Sequence, residues 1–186
     1  MINVTLDTSP LIRAGIIIAK APEEIKIAVS HAINRSLESF RTEGVRETAR
    51  KYFVKQNELR PSLAIKKSYG GEMNGAVIAT GSRKPITMYS ISPKRPPVKG
   101  GSFRGAVKRA GGLKPIPLAF LIPGKKGLHA VIRDKFGDNE RLRVLMSPSV
   151  PQLVQNKETV GSATQKAQET FERRLEHELK RKGLMI

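Results

Sequence analysis

The chain contains no cysteine and no tryptophan, and aromatic residues make up only 5% of its 186 positions. The first absence excludes disulfides and thiolate metal sites and is compatible with a reducing compartment. The scarcity of rings means that the core must rest mainly on Ile, Leu, Val and Ala. Long apolar runs are missing too. The nearest, Ile16 to Ala19, is far too short to span a bilayer, and Met1 to Asp7 carries neither a basic leader nor a long apolar stretch. A soluble protein made and used in the cytoplasm is expected, with no membrane partner. Acidic residues are nearly absent from one region. Between Leu59 and Arg133 there are fifteen basic residues and a single acid, Glu72, a net of +14 within a chain whose total is +18.

What is present argues for a folded chain. Apolar residues reach 39%, too many for disorder by composition, and the length suits one α+β domain over 1–186. Residues 1–21 form an extension, in which Ile2, Val4 and Leu6 alternate like a short strand and Thr8-Ser9-Pro10 opens a short helix. From Pro22 to about Phe53 the pattern is helical. Pro22 suits the first position, and Glu23 and Glu24 suit the positive end of the dipole. Ile25, Val29, Ala32, Ile33, Phe40, Val45, Ala49 and Tyr52 fall on one stripe. Such a helix is roughly 45 Å long, a spine for a sheet or a neighbouring subunit, with Gly44 a point of bending or close contact.

Residues 61–147 read as β-rich. Leu63 to Ile65 and Ala76 to Ala79 are strands about a Gly70-Gly71 turn, and Met88 to Ile91 is another. The segment 92–101 holds Pro93, Pro96 and Pro97 and is a loop. Ser102 to Ala110 reads as a strand. Leu118 to Ile122 and Leu128 to Arg133 flank a hairpin turn at Pro123 to Gly127. Asp134 to Glu140 reads as a loop, and Arg141 to Met146 as a strand turning Leu142, Val144 and Met146 inward. A second helix spans about 157–182, with Ala163, Ala167, Phe171, Leu175 and Leu179 in an i, i+4 stripe. Glu169–Arg173, Glu176–Lys180 and Glu178–Lys182 are its expected ion pairs. Both helices are expected to pack on a mainly antiparallel sheet or a small barrel-like sheet.

Catalytic chemistry finds little footing. His31, His129 and His177 lie on three separate elements, without a second ligand at metal-binding spacing. The glycine pairs are not followed by Lys-Ser or Lys-Thr, so there is no P-loop, and no Gly-x-Ser-x-Gly elbow occurs. No catalytic, cofactor-binding or metal-binding residue is assigned, and a non-enzymatic protein is expected.

The positive charge is therefore the main clue. Lys66, Lys67, Arg83, Lys84, Lys94, Arg95, Lys99, Arg104, Lys108, Arg109, Lys125 and Lys126 form the expected basic docking or DNA-contact surface. Phosphates are one class of partner, with steep salt dependence. Tyr69, Tyr89 and Phe103 are few for base stacking, and no readout motif accompanies them. Non-specific nucleic-acid binding and docking on an acidic protein surface both follow from the charge.

Three elements narrow the choice. They are Ala32-Ile33-Asn34-Arg35 in the long helix, Arg143 to Leu153 with its Pro148-Ser149-Val150-Pro151-Gln152 core, and the C-terminal Phe171-Glu172-Arg173-Arg174-Leu175-Glu176-His177-Glu178-Leu179. Together with Tyr52 to Lys55 before a Gly-rich basic middle, they resemble the minor tail protein Z family of tailed bacteriophages and prophages over roughly residues 22 to 180. The resemblance implies a structural virion protein, assembled in the bacterial cytoplasm, that completes the tail or joins it to the head. It implies tail and connector proteins as partners and no catalytic residues. A ring of subunits in the assembled particle follows from that role, with the basic middle turned to DNA or to an acidic neighbour.

Overall fold

The computed structural model describes residues 23–69, 74–96, 102–124, 127–136 and 139–182. The expected N-terminal extension, the Gly70-Gly71 turn, Lys99, Lys125 and Lys126 lie outside them. The protein is α+β, with a long helix at each end of a series of small antiparallel sheets. No helix among the described residues is long and apolar enough to cross a membrane.

Helix α1 runs over Glu23–Lys51, acidic in its first turn and basic in its last, as the helix dipole favours. Val29, Ala32, Ile33, Leu37, Phe40 and Val45 are buried along one side. The chain then forms a short helix α2, Gln56–Leu59, and a 3-10 turn over Arg60–Ser62. Strand β1, Leu63–Lys66, pairs antiparallel with β2, Ala76–Ala79, so that Leu63 faces Ala79 and Lys66 faces Ala76. Asn34 anchors the end of this hairpin to α1. Its amide nitrogen donates to Ser68 O at 2.9 Å, and its amide oxygen accepts from Ser68 N at 2.8 Å.

The remaining strands are β3 (Arg83–Pro85), β4 (Ser90–Ser92), β5 (Arg104–Ala106), β6 (Lys114–Pro115), β7 (Ala119–Gly124), β8 (Gly127–Phe136), β9 (Asn139–Val144) and β10 (Met146–Ser149). Their orders are β4-β5-β6 and β7-β8-β9, with β10 returning to pair with β3. The described strands form four sheets of two or three strands, and none closes into a barrel. The expected hairpin is present in register, Ala119 opposite Ile132 and Ile122 opposite His129.

Helix α3, Val150–Val154, follows, and the Pro-Ser-Val-Pro-Gln element is its start. Gln152 Oε1 accepts from Ser149 N at 2.9 Å and from Ser149 Oγ at 3.2 Å, and Pro151 occupies the first turn, where its missing N–H costs nothing. Helix α4 spans Lys157–Arg181, and Asn156 caps it by accepting from Glu158 N at 3.1 Å.

The two long helices pack chiefly on each other. Contacts join His31 to Glu178, Ser39 to Thr170, Gly44 to Ala163 and Lys51 to Glu158, so residue numbers rise along one helix as they fall along the other. The pair is antiparallel. The crossing lies at Gly44, where a Cβ would stand 3.9 Å from that of Ala163, an ordinary contact distance. One core surrounds this seam and takes in Leu59, Leu63, Val77, Val150 and Leu153. A second gathers around the fully buried Phe103, with Ile91, Ala119, Leu121 and Ala130.

Several expectations need correction. Ile86–Met88 is a 3-10 turn, and only Ser90–Ser92 continues as strand, because Ile86 N donates to Leu145 O and the chain curls over β10's approach. The strand expected over Ser102 to Ala110 shrinks to Arg104–Ala106, since the later residues turn to meet the end of α1. The loop expected over Asp134 to Glu140 is largely strand, with Asp134 opposite Arg141. Leu142, Val144 and Met146 do not point inward. They are 55%, 37% and 49% exposed, because β9 lies at the end of its sheet with residues 141–144 exposed on both faces, and the core around Phe103 draws on β7 and β8 instead.

Glu178 does not pair with Lys182. It is fully buried, and a buried carboxylate needs partners. Arg174 reaches one oxygen at 2.8 Å and Arg181 the other at 2.7 Å, with His31 Nδ1 at 3.9 Å across the seam. Glu169 ties to Lys166 at 3.0 Å, and Glu176–Lys180 forms as expected at 2.8 Å.

Two outcomes test this packing. A Cβ at Gly75 would lie 2.5 Å from Leu37 Cδ1 and 3.1 Å from Ile33 Cγ2. Gly75→Ala is expected to lower stability by about 1–3 kcal/mol in urea titration, while Gly161→Ala, on an open helix face, raises it by up to about 1 kcal/mol. The second concerns acid. Lys51 hydrogen-bonds Glu158 at 2.7 Å and with its charge holds that carboxyl below the ordinary value of 4.5. A depressed carboxylate contributes stability above the unfolded value, and this is lost as pH falls through the folded one. Thermal midpoints measured from neutral pH downward should fall below about pH 4.5, and less steeply in Glu158→Gln.

Candidate docking surface

The basic residues expected to act together are spread over separate faces. Lys66 is exposed on β1, and Lys67 lines a groove beside α1 with His31, Arg35 and Arg174. Arg83 and Lys108 flank a different groove, next to Met146 and Gln152. Lys84 is half-buried, its carbonyl accepting from Ser147 Oγ at 2.8 Å. Arg95 is exposed beyond β4, and Arg104 is exposed on β5, opposite Ser92 and Pro115. No single stripe carries all of them.

Lys94 and Arg109 do come together, beside the junction where the end of α1 meets the residues after β5. Where α1 ends, Tyr52 bridges to Lys108, Phe53 N donates to Val107 O at 2.8 Å, and Arg109 N donates to Lys51 O at 2.8 Å. The chain after β5 is thereby sewn to the end of the helix. Arg109 Nε donates to Ala49 O at 3.1 Å and to Tyr52 O at 3.2 Å, satisfying carbonyls that the helix end leaves open. Its guanidinium carbon lies 4.8 Å from the centre of the Phe53 ring. These contacts hold one cation in a fixed place without neutralising it, since among the described residues no carboxylate pairs with it.

Beside it lies a groove of about 610 Å³ between the end of α1, α2 and the Met88–Ile91 segment. Phe53, Met88, Ile91 and Leu128 give it an apolar floor, and Lys55, Lys94 and Arg109 a basic rim. Glu58 is the one acid in the lining. Met88 is 51% exposed and so leaves apolar surface in solvent. A second groove shares Val54, Lys55 and Arg109 and adds Arg46 and Arg50 from the exposed side of α1. Those two are tied to Glu43 and Glu47 at 3.9 and 3.0 Å.

The sequence reading picked out Lys94 and Arg109 by charge but missed Lys55, Met88 and Leu128. Lys55 falls outside any charge run, and Met88 was read as an ordinary strand residue. Only the folding of α2 against the 86–91 segment brings them together.

The three histidines remain apart: His31 faces Glu178, His177 is exposed on α4, and His129 stacks against Gly124 in the β7-β8 hairpin. Among the described residues no cluster of three or more His, Asp or Glu side chains has the geometry to hold a metal ion. The arrangement can accept an anionic, partly apolar ligand by ionic and hydrophobic contact.

Compared with known proteins, the chain finds no matching family model, curated protein or solved structure.

Replacing Arg109 by Ala should cost about 1–3 kcal/mol, from the Nε–H shared between two carbonyls and the ring contact, and Lys should not restore it because it has no N–H partway along its side chain and no planar group to lie over the Phe53 ring. Chemical denaturation of the two variants against the parent chain checks this.

Proposed function

We propose that this protein is a structural component of a tailed bacteriophage or prophage, acting in tail completion or head–tail joining at the head-proximal end of the tail. It works by docking on other tail and connector proteins, as one subunit of a ring, and its place in the finished particle is the virion tail. The sequence elements that resemble the minor tail protein Z family support this reading.

One structural observation carries it further. Leu142 and Val144 on β9 and Met146 at the start of β10 are exposed at alternate positions, and Leu118, just before β7, is 90% exposed. Apolar side chains repeated along one extended face are what a protein interface covers in an assembly. The same alternation would serve a buried strand in a self-contained domain, but here residues 141–144 are exposed on both faces and the core around Phe103 is filled from β7 and β8.

Non-specific nucleic-acid binding is the second reading, favoured by the +14 segment. The dispersal of its cations over several faces fits a docking protein better than a phosphate track.

Purified protein mixed with the adjacent tail and connector proteins is expected to form a discrete complex in size-exclusion chromatography with light scattering. A charge substitution in the exposed row, Val144→Glu, should abolish it without lowering the melting temperature by more than a few degrees. Normal joined virions from cells lacking the protein would refute the reading. A steep negative dependence of duplex DNA affinity on salt, with no protein complex formed, would favour the second.

A further inference from the structure

We infer that the groove between the end of α1, α2 and the Met88–Ile91 segment is a docking site for an acidic amphipathic segment of a partner protein. The inference rests on the reading of this chain as an assembly component, and it names the site and the chemistry of the partner.

The lining selects that chemistry. A basic rim over an apolar floor fits a ligand whose apolar side chains descend into the groove while carboxylates stay at its edge. Lys55, Lys94 and Arg109 form no ion pair with any described carboxylate, so three charges stand along one groove with Glu58 alone opposing them. An anionic segment would meet a net positive potential, which favours association and sets its orientation. Arg109 is already held by Ala49 O, Tyr52 O and the Phe53 ring, so fixing it on binding costs little further side-chain entropy. Below the rim, Met88 offers an exposed, flexible apolar surface next to Leu128, and methionine adapts to varied apolar partners. Apolar anchors spaced along a helix and laid into such a groove are a recurring mode of peptide recognition.

Other occupants fit less well. A second copy of this chain carries +18 and would bring like charge to a basic rim. A nucleic-acid strand needs open ring faces for its bases, but Arg109 covers the Phe53 ring and Tyr89 is only 9% exposed. The most exposed tyrosine, Tyr69, lines another groove, with Ile27, Asn34 and Lys67.

The probe is a fluorescein-labelled synthetic helix of about four turns, with Leu and Phe at i, i+3 and i+7 and Glu at the outward positions, titrated into the full-length protein and read by anisotropy. The same peptide with every Glu replaced by Gln, one with its residues scrambled, and a labelled DNA oligonucleotide serve as comparators.

The glutamate peptide is expected to bind at least about tenfold more tightly than the glutamine or scrambled forms. Met88→Ser, which removes the apolar contact without adding charge, and the double variant Lys55→Glu/Lys94→Glu should weaken it by about fivefold and about tenfold or more, whereas Arg83→Glu/Lys108→Glu, on another groove, leaves it within about twofold. All the substituted side chains are exposed, and thermal melting of each variant verifies the fold; the two groove variants test the floor and the rim independently.

Failure of the glutamate peptide to bind overturns the inference. So does equal weakening by the control pair, which would mean diffuse charge attraction, or indifference to Met88→Ser, which would mean that the floor plays no part. DNA binding more tightly than the peptide, through the same residues, also overturns it. A peptide that fails while the complex with neighbouring tail proteins forms removes the groove and leaves the functional reading standing. A peptide that binds as expected, in a protein that joins no tail complex, keeps the groove and removes that reading.

Discussion

The antiparallel seam between α1 and α4 is the constraint on which the other elements depend. Each helix is amphipathic, and neither could bury its stripe alone. Ala163 and Ala167 are fully buried at the crossing opposite α1, and Val29, Leu37, Phe40 and Phe171 fill the space around them. Leu37, 1% exposed, illustrates the scale, since truncating such a residue typically costs about 2–5 kcal/mol. The seam also tolerates one buried charge. Glu178 sits inside it because two arginines from its own helix reach back over it from the surface. A carboxylate left there without them would be far costlier than an exposed one.

The β-rich middle is attached to this seam at defined points. Asn34 clamps the first hairpin with both ends of its amide, and the end of α1 is sewn to the residues after β5 through Tyr52, Phe53 and Arg109. The second core, around Phe103, then forms under the β7-β8-β9 sheet. Dividing the strands into several small sheets leaves several edges and faces open. In a self-contained domain such edges are a liability. In a subunit built to be surrounded they are places for neighbours. This is the physical link between the fragmented sheets, the exposed Leu142–Val144–Met146 row and the assembly role proposed here.

The basic middle takes on a different meaning within this frame. As a sum of charges it suggests one polyanion-binding face. In three dimensions Lys67, Arg83, Lys94 and Arg104 stand on different elements with different neighbours. A distributed positive field speeds association with acidic partners in many orientations, and the combination of charge with local apolar surface decides which contacts persist. At the groove beside Arg109 a fixed cation, an exposed methionine and two lysines that pair with no described carboxylate coincide.

The two long helices were legible from the amino-acid order alone, within a residue or two at their ends. Their acidic first turns and basic last turns, their 3.6-residue stripes and the i, i+4 pair of Glu176 with Lys180 are local, and local chemistry is written in adjacent residues. So were the hairpin of β7 with β8 and the pairing of β1 with β2, where short apolar runs flank turn residues. The inward assignment of Leu142, Val144 and Met146 failed for a definite reason. Period-2 alternation separates the two faces of a strand but does not say which face meets the core. Here neither face does: β9 ends its sheet with Arg141 to Val144 all exposed, and the core around Phe103 is filled from β7 and β8. The partners of Glu178 and the convergence of Lys55, Met88, Lys94 and Arg109 were likewise settled by tertiary packing. Burial and long-range contact depend on where distant segments are brought, and no spacing along the chain records that. The sequence by itself determined the elements and the sign of the charge, and the tertiary structure decided where that charge stands and what lies beside it.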